Sequence, residues 1–251
     1  MIIKLLDHGS VALVETWGSD ERIVEAARMS TDKGFQGWGR KCDTPGCMPV
    51  GMLGDVNFCQ VCKGTGWING DEKLLRYLYE HKHMTPFEMA GMIVEVQAPI
   101  FVFREWHRHR TQSYNELSAR YTPLPDVNYV PTVERLLQSG GANKQAASTG
   151  KQISVSEAEG FQKHLAKSYV DAQELYEWAL LSGAPKELAR LCIPVGRYSR
   201  MRASANLRNW LAFLTLRMDA AAQWEIQQYA KAVAELIAEK FPRTYALFAK
   251  K

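Results

Sequence analysis

Nowhere does the chain hold an uncharged apolar run of about 18 residues, so no segment reads as a membrane-spanning helix. The opening residues MIIKLLDHGSVALVET interrupt their apolar positions with Asp7 and Glu15, which removes the continuous core of a secretory signal as well. Both absences predict a soluble, cytoplasmic protein. No internal repeat is visible. Charge of one sign is scarce too: the net is only +4, with lysine and arginine spread along the chain, which argues against a nucleic-acid-binding stripe. Cysteine is limited to five residues, four of them close together, and Cys192 alone in an apolar segment reads as a core residue. With 251 residues, 46% hydrophobic, the chain suits one large domain or one domain with a small added module.

Chemistry concentrates in residues 101–121, FVFREWHRHRTQSYNELSARY, where four arginines, two histidines and two glutamates stand among Phe101, Phe103, Trp106, Tyr114 and Tyr121. Charged groups set among aromatics are costly to bury without partners, so a ligand is expected to supply the missing counter-charges. The forks of Arg104, Arg108, Arg110 and Arg120 suit phosphate or carboxylate, which guanidinium holds through two parallel hydrogen bonds. An anionic ligand with flat rings is predicted. The competing reading is a helix end with surface ion pairs.

From Gln36 to Gly70 the composition shifts to Gly, Pro, Cys and Trp and periodicity disappears. Cys42, Cys47, Cys59 and Cys62 follow a C-x4-C, x11, C-x2-C pattern, and Lys63-Gly64-Thr65-Gly66 comes next. Such spacing places thiolates on one tetrahedral zinc, and glycines just behind let backbone amides turn toward sulfur. A module of about 30 residues is also too small to fold on an apolar core alone. We therefore expect a zinc-ribbon-like insert at 36–70 within a domain formed by 1–35 and 71–251. Unligated thiols or a disulfide pair are the alternatives.

Along the rest of the chain, residues 2–16 read as two short strands joined at Gly9-Ser10, and Ser19-Asp20 caps a helix to Met29. Asp71 is expected to cap the helix EKLLRYLYEHKH, and Thr85-Pro86-Phe87-Glu88 has the form of a capping box. Met92 to Gln97 alternates as a strand, and Pro99 starts a helix with Ile100, Phe103 and Trp106 as its buried stripe. The polar stretch Gln138–Ser154 predicts a mobile loop, followed by a helix from Ser156 to Gly183, and Pro185 opens another. Residues 203–248 read as mostly helical. The sum is an α+β fold, with helices on a small mixed or antiparallel sheet.

Arg108-His109-Arg110, seven residues, then Ser118 resembles the signature of flavin-dependent thymidylate synthases. AARMS at 26–30, HMTPFEM at 83–89, the arginine of ELARLCIP and residues 205–230 extend the resemblance over nearly all the chain outside the insert. It implies reductive methylation of dUMP to dTMP, with 5,10-methylenetetrahydrofolate as carbon donor and FAD reduced by NADPH as hydride source. It also implies a homotetramer whose sites are shared between subunits. Arg217 then matches the catalytic arginine that contacts uracil and favours ionisation at N3, while Glu105, Arg108, Glu116, Ser118, Ala119, Arg120 and Arg190 complete the dUMP cradle. Ser30, His83, Thr85, Arg108, His109, Arg110, Glu116, Asn206 and Arg208 match flavin contacts. Taken alone, Ser30 is a helix-end hydroxyl and His83 a structural histidine.

Conventional thymidylate formation attacks the uracil ring with a cysteine, and no thiol here suits that role, since Cys192 has no neighbouring histidine and the others are spent on metal. Hydride from a reduced flavin replaces it. Two positions depart from the family pattern: Glu105 stands where glutamine is expected, and Ala212 where a flavin-contacting asparagine is expected. An acid near the nucleotide's phosphate is unfavourable unless Arg104 or Arg108 neutralises it. A different pyrimidine or a hydroxymethylated product fits these departures too. Two readings from other classes are a zinc-containing nucleic-acid-binding module and a metal enzyme built on His81, His83, His107 and His109, the latter opposed by the Lys or Arg inside each His-x-His pair.

Overall fold

The computed structural model describes residues 1–45, 59, 61–62, 67–68, 70–138 and 152–250. In chain order these form β1 (Ile2–Leu5), β2 (Gly9–Trp17), α1 (Asp20–Arg28), β3 (Arg40–Lys41), β4 (Trp67–Ile68) and α2 (Glu72–Glu80). Next come β5 (Gly91–Pro99), α3 (Ile100–Trp106), β6 (Ser113–Glu116), α4 (Val133–Leu137), α5 (Val155–Leu181) and α6 (Lys186–Ala189). The chain closes with β7 (Tyr198–Asn206), α7 (Leu207–Arg217), α8 (Trp224–Lys240) and α9 (Pro242–Phe248). The expected α+β class holds. The chain divides into two compact units, one of residues 1–15, 93–205 and 212–234, the other of 16–92, 206–211 and 235–251.

In the first unit the helices accompany a five-stranded sheet of order β1-β2-β5-β7-β6, antiparallel at the β1–β2 and β6–β7 pairs. The β1–β2 hairpin turns through Leu6 in a left-handed conformation, and glycine is required at position 9 because a Cβ there would lie 2.3 Å from the Tyr229 hydroxyl. On β5, Val94, Val96 and Ala98 are fully buried, as the alternation predicts. Helix α3 starts behind Pro99, and of its expected stripe Phe103 and Trp106 are buried while Ile100 is only half-buried and Val102 is buried instead, each fully buried large side chain contributing roughly 1.5–3 kcal/mol. A helix was expected from residue 203, whereas 198–206 form β7. Met201, Ala203 and Ala205 are buried and Arg200 and Arg202 exposed, a period of two carried by small side chains of weak strand preference, which pairing with neighbours overrides. Of the expected Gln138–Ser154 loop, residues 139–151 fall outside the described residues, and Ser154 caps α5 in a capping box with Glu157.

In the second unit, Ser19 Oγ accepts from the Arg22 amide at 3.3 Å and starts α1 as expected. Asp71 precedes α2, but its side chain does not cap it; that buried carboxylate receives Arg28 and the Gln36 amide instead. Nor is Thr85-Pro86-Phe87-Glu88 a capping box: Thr85–Met89 is one short 3-10 turn, and Glu88 pairs with Arg208. Asp20 serves a second helix by accepting from the amides of Arg243 (2.8 Å) and Thr244 (3.2 Å) at the start of α9.

Candidate active site

Arg217 ends α7, and three hydrogen bonds fix its guanidinium. Nη1 meets Glu105 Oε2 at 2.7 Å, Nη2 donates to the Glu105 carbonyl at 2.7 Å, and Nε donates to His109 Nε2 at 2.8 Å. Its side chain is only 14% exposed. Because α3 ends at Trp106, Glu105 lies in its last turn and His109 in the turn that follows, so one guanidinium ties both to the end of α7. Arg217 thus neutralises Glu105, a part for which the sequence offered Arg104 or Arg108.

His109 is kept uncharged. Burial, then the charge of Arg217, lowers its pKa from 6.5 to about 4, with Glu105 pulling the other way. Since Nε2 accepts from Arg217, the imidazole proton belongs on Nδ1. The ring stands edge-on to Phe213 at 4.9 Å, and Phe213 in turn packs on buried Trp106 at 4.6 Å. The Tyr114 hydroxyl lies 2.7 Å from the His109 carbonyl oxygen and 3.1 Å from that of Trp106. Burial pushes that phenol up to about 12, so it remains a donor at any ordinary pH.

A second cluster forms where residues 117–122 meet α6. Arg120 Nε pairs with Glu187 Oε2 at 3.2 Å, with both side chains 54% exposed. Arg190 Nε donates to the Glu187 carbonyl at 3.3 Å, and Lys186 Nζ to the Tyr121 carbonyl at 3.0 Å. The Ser118 carbonyl accepts from the amides of Tyr121 (3.0 Å) and Thr122 (3.2 Å), and its hydroxyl from the Arg120 amide (3.3 Å). Ala119 is buried. Arg108 and Arg110 are exposed beyond α3, and Glu116 is half-buried at the end of β6, opposite Met201.

The family described as thymidylate synthase complementing protein (Thy1) matches residues 12–243. A flavin-dependent thymidylate synthase of Thermosipho melanesiensis is 35% identical over 250 residues, covering 100% of this chain and 94% of that one. Its Thermus thermophilus counterpart is 36% identical, covering 99% and 78%. The chain belongs to the flavin-dependent thymidylate synthase family. Among solved structures, a UMP/dUMP methylase, PolB of Streptomyces cacaoi bound with 5-Br UMP, has a TM-score of 0.75 at 30% identity over 99% of this chain and 96% of that one.

In this family member, Glu105, Arg108, His109, Arg110, Glu116, Ser118, Ala119, Arg120, Arg190 and Arg217 all fall within the first unit. The remaining flavin candidates, Ser30, His83, Thr85, Asn206 and Arg208, fall within the second. There Ser30 Oγ donates to the Ala27 carbonyl at 3.0 Å, and Thr85 opens its 3-10 turn. The His83 ring is edge-on to Tyr77 at 5.7 Å. Asn206 Oδ1 accepts from the Asn209 amide at 3.0 Å at the start of α7, and Arg208 pairs with Glu88. Ala212 is exposed and carries no polar group. Sequence reasoning passed over Glu187, whose signal was its place three residues before Arg190, and Tyr114, counted only as framing.

Cys42, Cys59 and Cys62 hold their sulfurs within 4.8 Å of one another, while Cys47 lies outside the described residues. The Cys62 amide first, and then the Thr44 side chain, lower the Cys59 thiol to about 6. Among the described residues these three form the sole such cluster.

Proposed function

We propose that the chain carries out the family's reaction, reductive methylation of dUMP to dTMP with 5,10-methylenetetrahydrofolate as carbon donor, FAD as hydride carrier and NADPH as reductant. The observation that carries this is the fixed Arg217, held by a neutral imidazole and a single carboxylate. A guanidinium beside the uracil ring favours loss of the N3 proton, lowering that pKa by roughly 1–3 units and making the ring electron-rich. The phosphate of dUMP falls to Arg120 and Arg190 with Ser118, whose polar groups sit at one place on the chain's surface.

The side chains assigned to the flavin fit it by chemistry. Arg108, Arg110 and Arg208 offer forks for a pyrophosphate, Ser30 and Thr85 expose hydroxyls, and His109 brings an uncharged ring. When bound, FAD supplies the hydride that makes a cysteine nucleophile unnecessary. Cys192 agrees with this, since its thiol donates to the carbonyls of Ala189 (3.2 Å) and Ala172 (3.5 Å).

The assembly is a homotetramer in the cytoplasm. Phe161, Val170, Leu175, Trp178 and Leu181 are exposed along α5, an apolar display suited to a subunit contact. Among the described residues no helix is long and apolar enough to cross a membrane. The insert is a four-cysteine zinc module of residues 36–70, with Cys47 as fourth ligand by its spacing.

A second reading concerns substrate. Glu105 beside Arg217 and the likeness to a UMP/dUMP methylase favour a site that also accepts UMP, or one that leaves a hydroxymethyl group. Visible spectra of the purified protein test the main reading: bands near about 370 and 450 nm that bleach with NADPH support it. Product analysis with dUMP and UMP then separates the variants. A colourless protein that takes up no FAD would overturn it.

A further inference from the structure

The insert is joined to the turn that carries Ser30. Its base closes on itself: β3 pairs with β4 through Arg40↔Ile68 and Lys41↔Trp67, and the Asp71 amide donates to the Gly37 carbonyl at 2.8 Å. Gly70 lies so close to residues 37–39 that a Cβ would stand 2.2 Å from the Gly37 oxygen. Trp38 fastens this base outward, with Nε1 donating to Glu21 at 2.8 Å and its ring under the Arg243 guanidinium at 4.3 Å. Cys42 directly follows β3, so the sulfur cluster begins where that base ends.

Sulfur geometry favours a metal. Thiolates about 2.3 Å from a tetrahedral zinc stand about 3.8 Å from one another. The sulfurs of Cys42 and Cys59 are 3.8 Å apart. A disulfide would need them at about 2.05 Å.

Asp71 connects the insert to α1. It is fully buried, and its Oδ2 accepts from the Gln36 amide at 2.6 Å, at the insert's first residue. Its Oδ1 accepts from Arg28 Nε at 2.7 Å and from Arg28 Nη2. Arg28 is the last residue of α1, and its carbonyl accepts from Thr31 Oγ1 at 3.0 Å and from the Lys33 amide at 3.3 Å. Those bonds brace the start and end of the 3-10 turn Met29–Thr31, which the Asp32 amide closes on the Met29 carbonyl at 3.2 Å and at whose centre Ser30 stands. One carboxylate therefore links the cysteine module on one side to the Ser30 turn on the other.

We infer that Cys42, Cys59 and Cys62 hold a structural zinc ion whose occupancy, through Asp71 and Arg28, sets the Ser30 turn and with it the affinity for FAD. The flavin part rests on the function proposed above. The zinc part and the coupling to residues 28–33 do not. Asp71 is a positioning residue, touching neither metal nor flavin.

The test uses the full-length protein. Metal content is measured by mass spectrometry, and the number of thiolate ligands is read from charge-transfer bands after cobalt replaces zinc. Zinc is then removed with a chelator and restored, while amide hydrogen exchange of residues 28–33 and FAD binding are followed. About one zinc per chain, faster exchange in 28–33 on removal and FAD affinity weakened by about tenfold are expected, an ordinary size for two coupled sites. Re-added zinc restores both. In Asp71→Asn the cobalt spectrum persists, but chelation changes neither exchange nor FAD affinity further. Metal-free protein with titratable thiols would overturn the site, and zinc release with unchanged exchange would overturn the coupling. If no FAD binds in any state, the functional reading fails, while metal content and exchange still decide the inference.

Discussion

Arg217 and the pair Arg120 and Arg190 lie in the same unit yet are held in opposite ways. Arg217 is 14% exposed and meets Glu105 and His109 through all three of its nitrogens. Arg120 is 54% exposed and leans on one equally exposed carboxylate, while Arg190 donates only weakly to a carbonyl. An ion pair that open to water contributes little and is readily exchanged for a phosphate. Three bonds already fix Arg217, so in the proposed reaction its charge would need little reorganisation as an anion develops on the pyrimidine. On the proposed function, the first guanidinium would serve the chemistry and the other two the capture of the nucleotide.

Breaking that comparison at Arg217 has the largest expected effect. Arg217→Ala removes a preorganised cation and frees both Glu105 and His109, and kcat for dTMP formation is expected to fall by about 10²–10³. Steady-state turnover at saturating dUMP measures it; a loss below tenfold would mean that another group supports the ring. Next in size, Arg120→Ala and Arg190→Ala should each raise KM for dUMP by about 10-fold to 50-fold with kcat nearly unchanged, the signature of a contact made equally before and during reaction. A kcat loss as large as that of Arg217→Ala would erase the distinction.

How much of this was legible in the sequence follows from where each signal resides. Helix starts were readable because capping is local: Ser19 before α1 and Pro185 before α6 act within a turn of their own positions. Strand β7 was hidden because Ala203 and Ala205 have weak strand preference and gain their place only through neighbours distant in sequence. Asp71 was misread for a related reason. A helix-start aspartate is ordinarily a cap, yet its carboxylate is taken by Arg28, 43 residues earlier. The motif residues around Arg108 were found by pattern, but that Arg217 would hold Glu105, 112 residues away, has no local trace.

Glu105→Gln sharpens the comparison with a smaller change. Glutamine still accepts from Arg217 Nη1, so the position of the guanidinium survives while its charge is no longer half-neutralised. A less neutralised cation favours the N3 anion more strongly. The expected result is a few-fold gain in kcat/KM for dUMP near neutral pH, together with a changed ratio of UMP to dUMP turnover. A loss exceeding tenfold would show that the carboxylate itself exchanges a proton with substrate.

The smallest effect expected is on stability against pH, and it arises from His109. The unfolded chain takes up this proton near pH 6.5, whereas the folded site resists it until about 4 because burial, and then Arg217, disfavours the imidazolium. Between those values the unfolded state binds more protons, so stability is full above about 6.5 and declines as the pH falls toward 4. His109→Gln preserves an acceptor for Arg217 Nε and removes the titration. Urea midpoints for the two proteins should therefore converge as pH is lowered from 6.5 to 4.5, and a constant gap would mean that His109 titrates alike folded and unfolded. Glu105 opposes the shift, so Glu105→Gln made with His109 in place extends the same decline to lower pH, linking this effect to the carboxylate that holds Arg217.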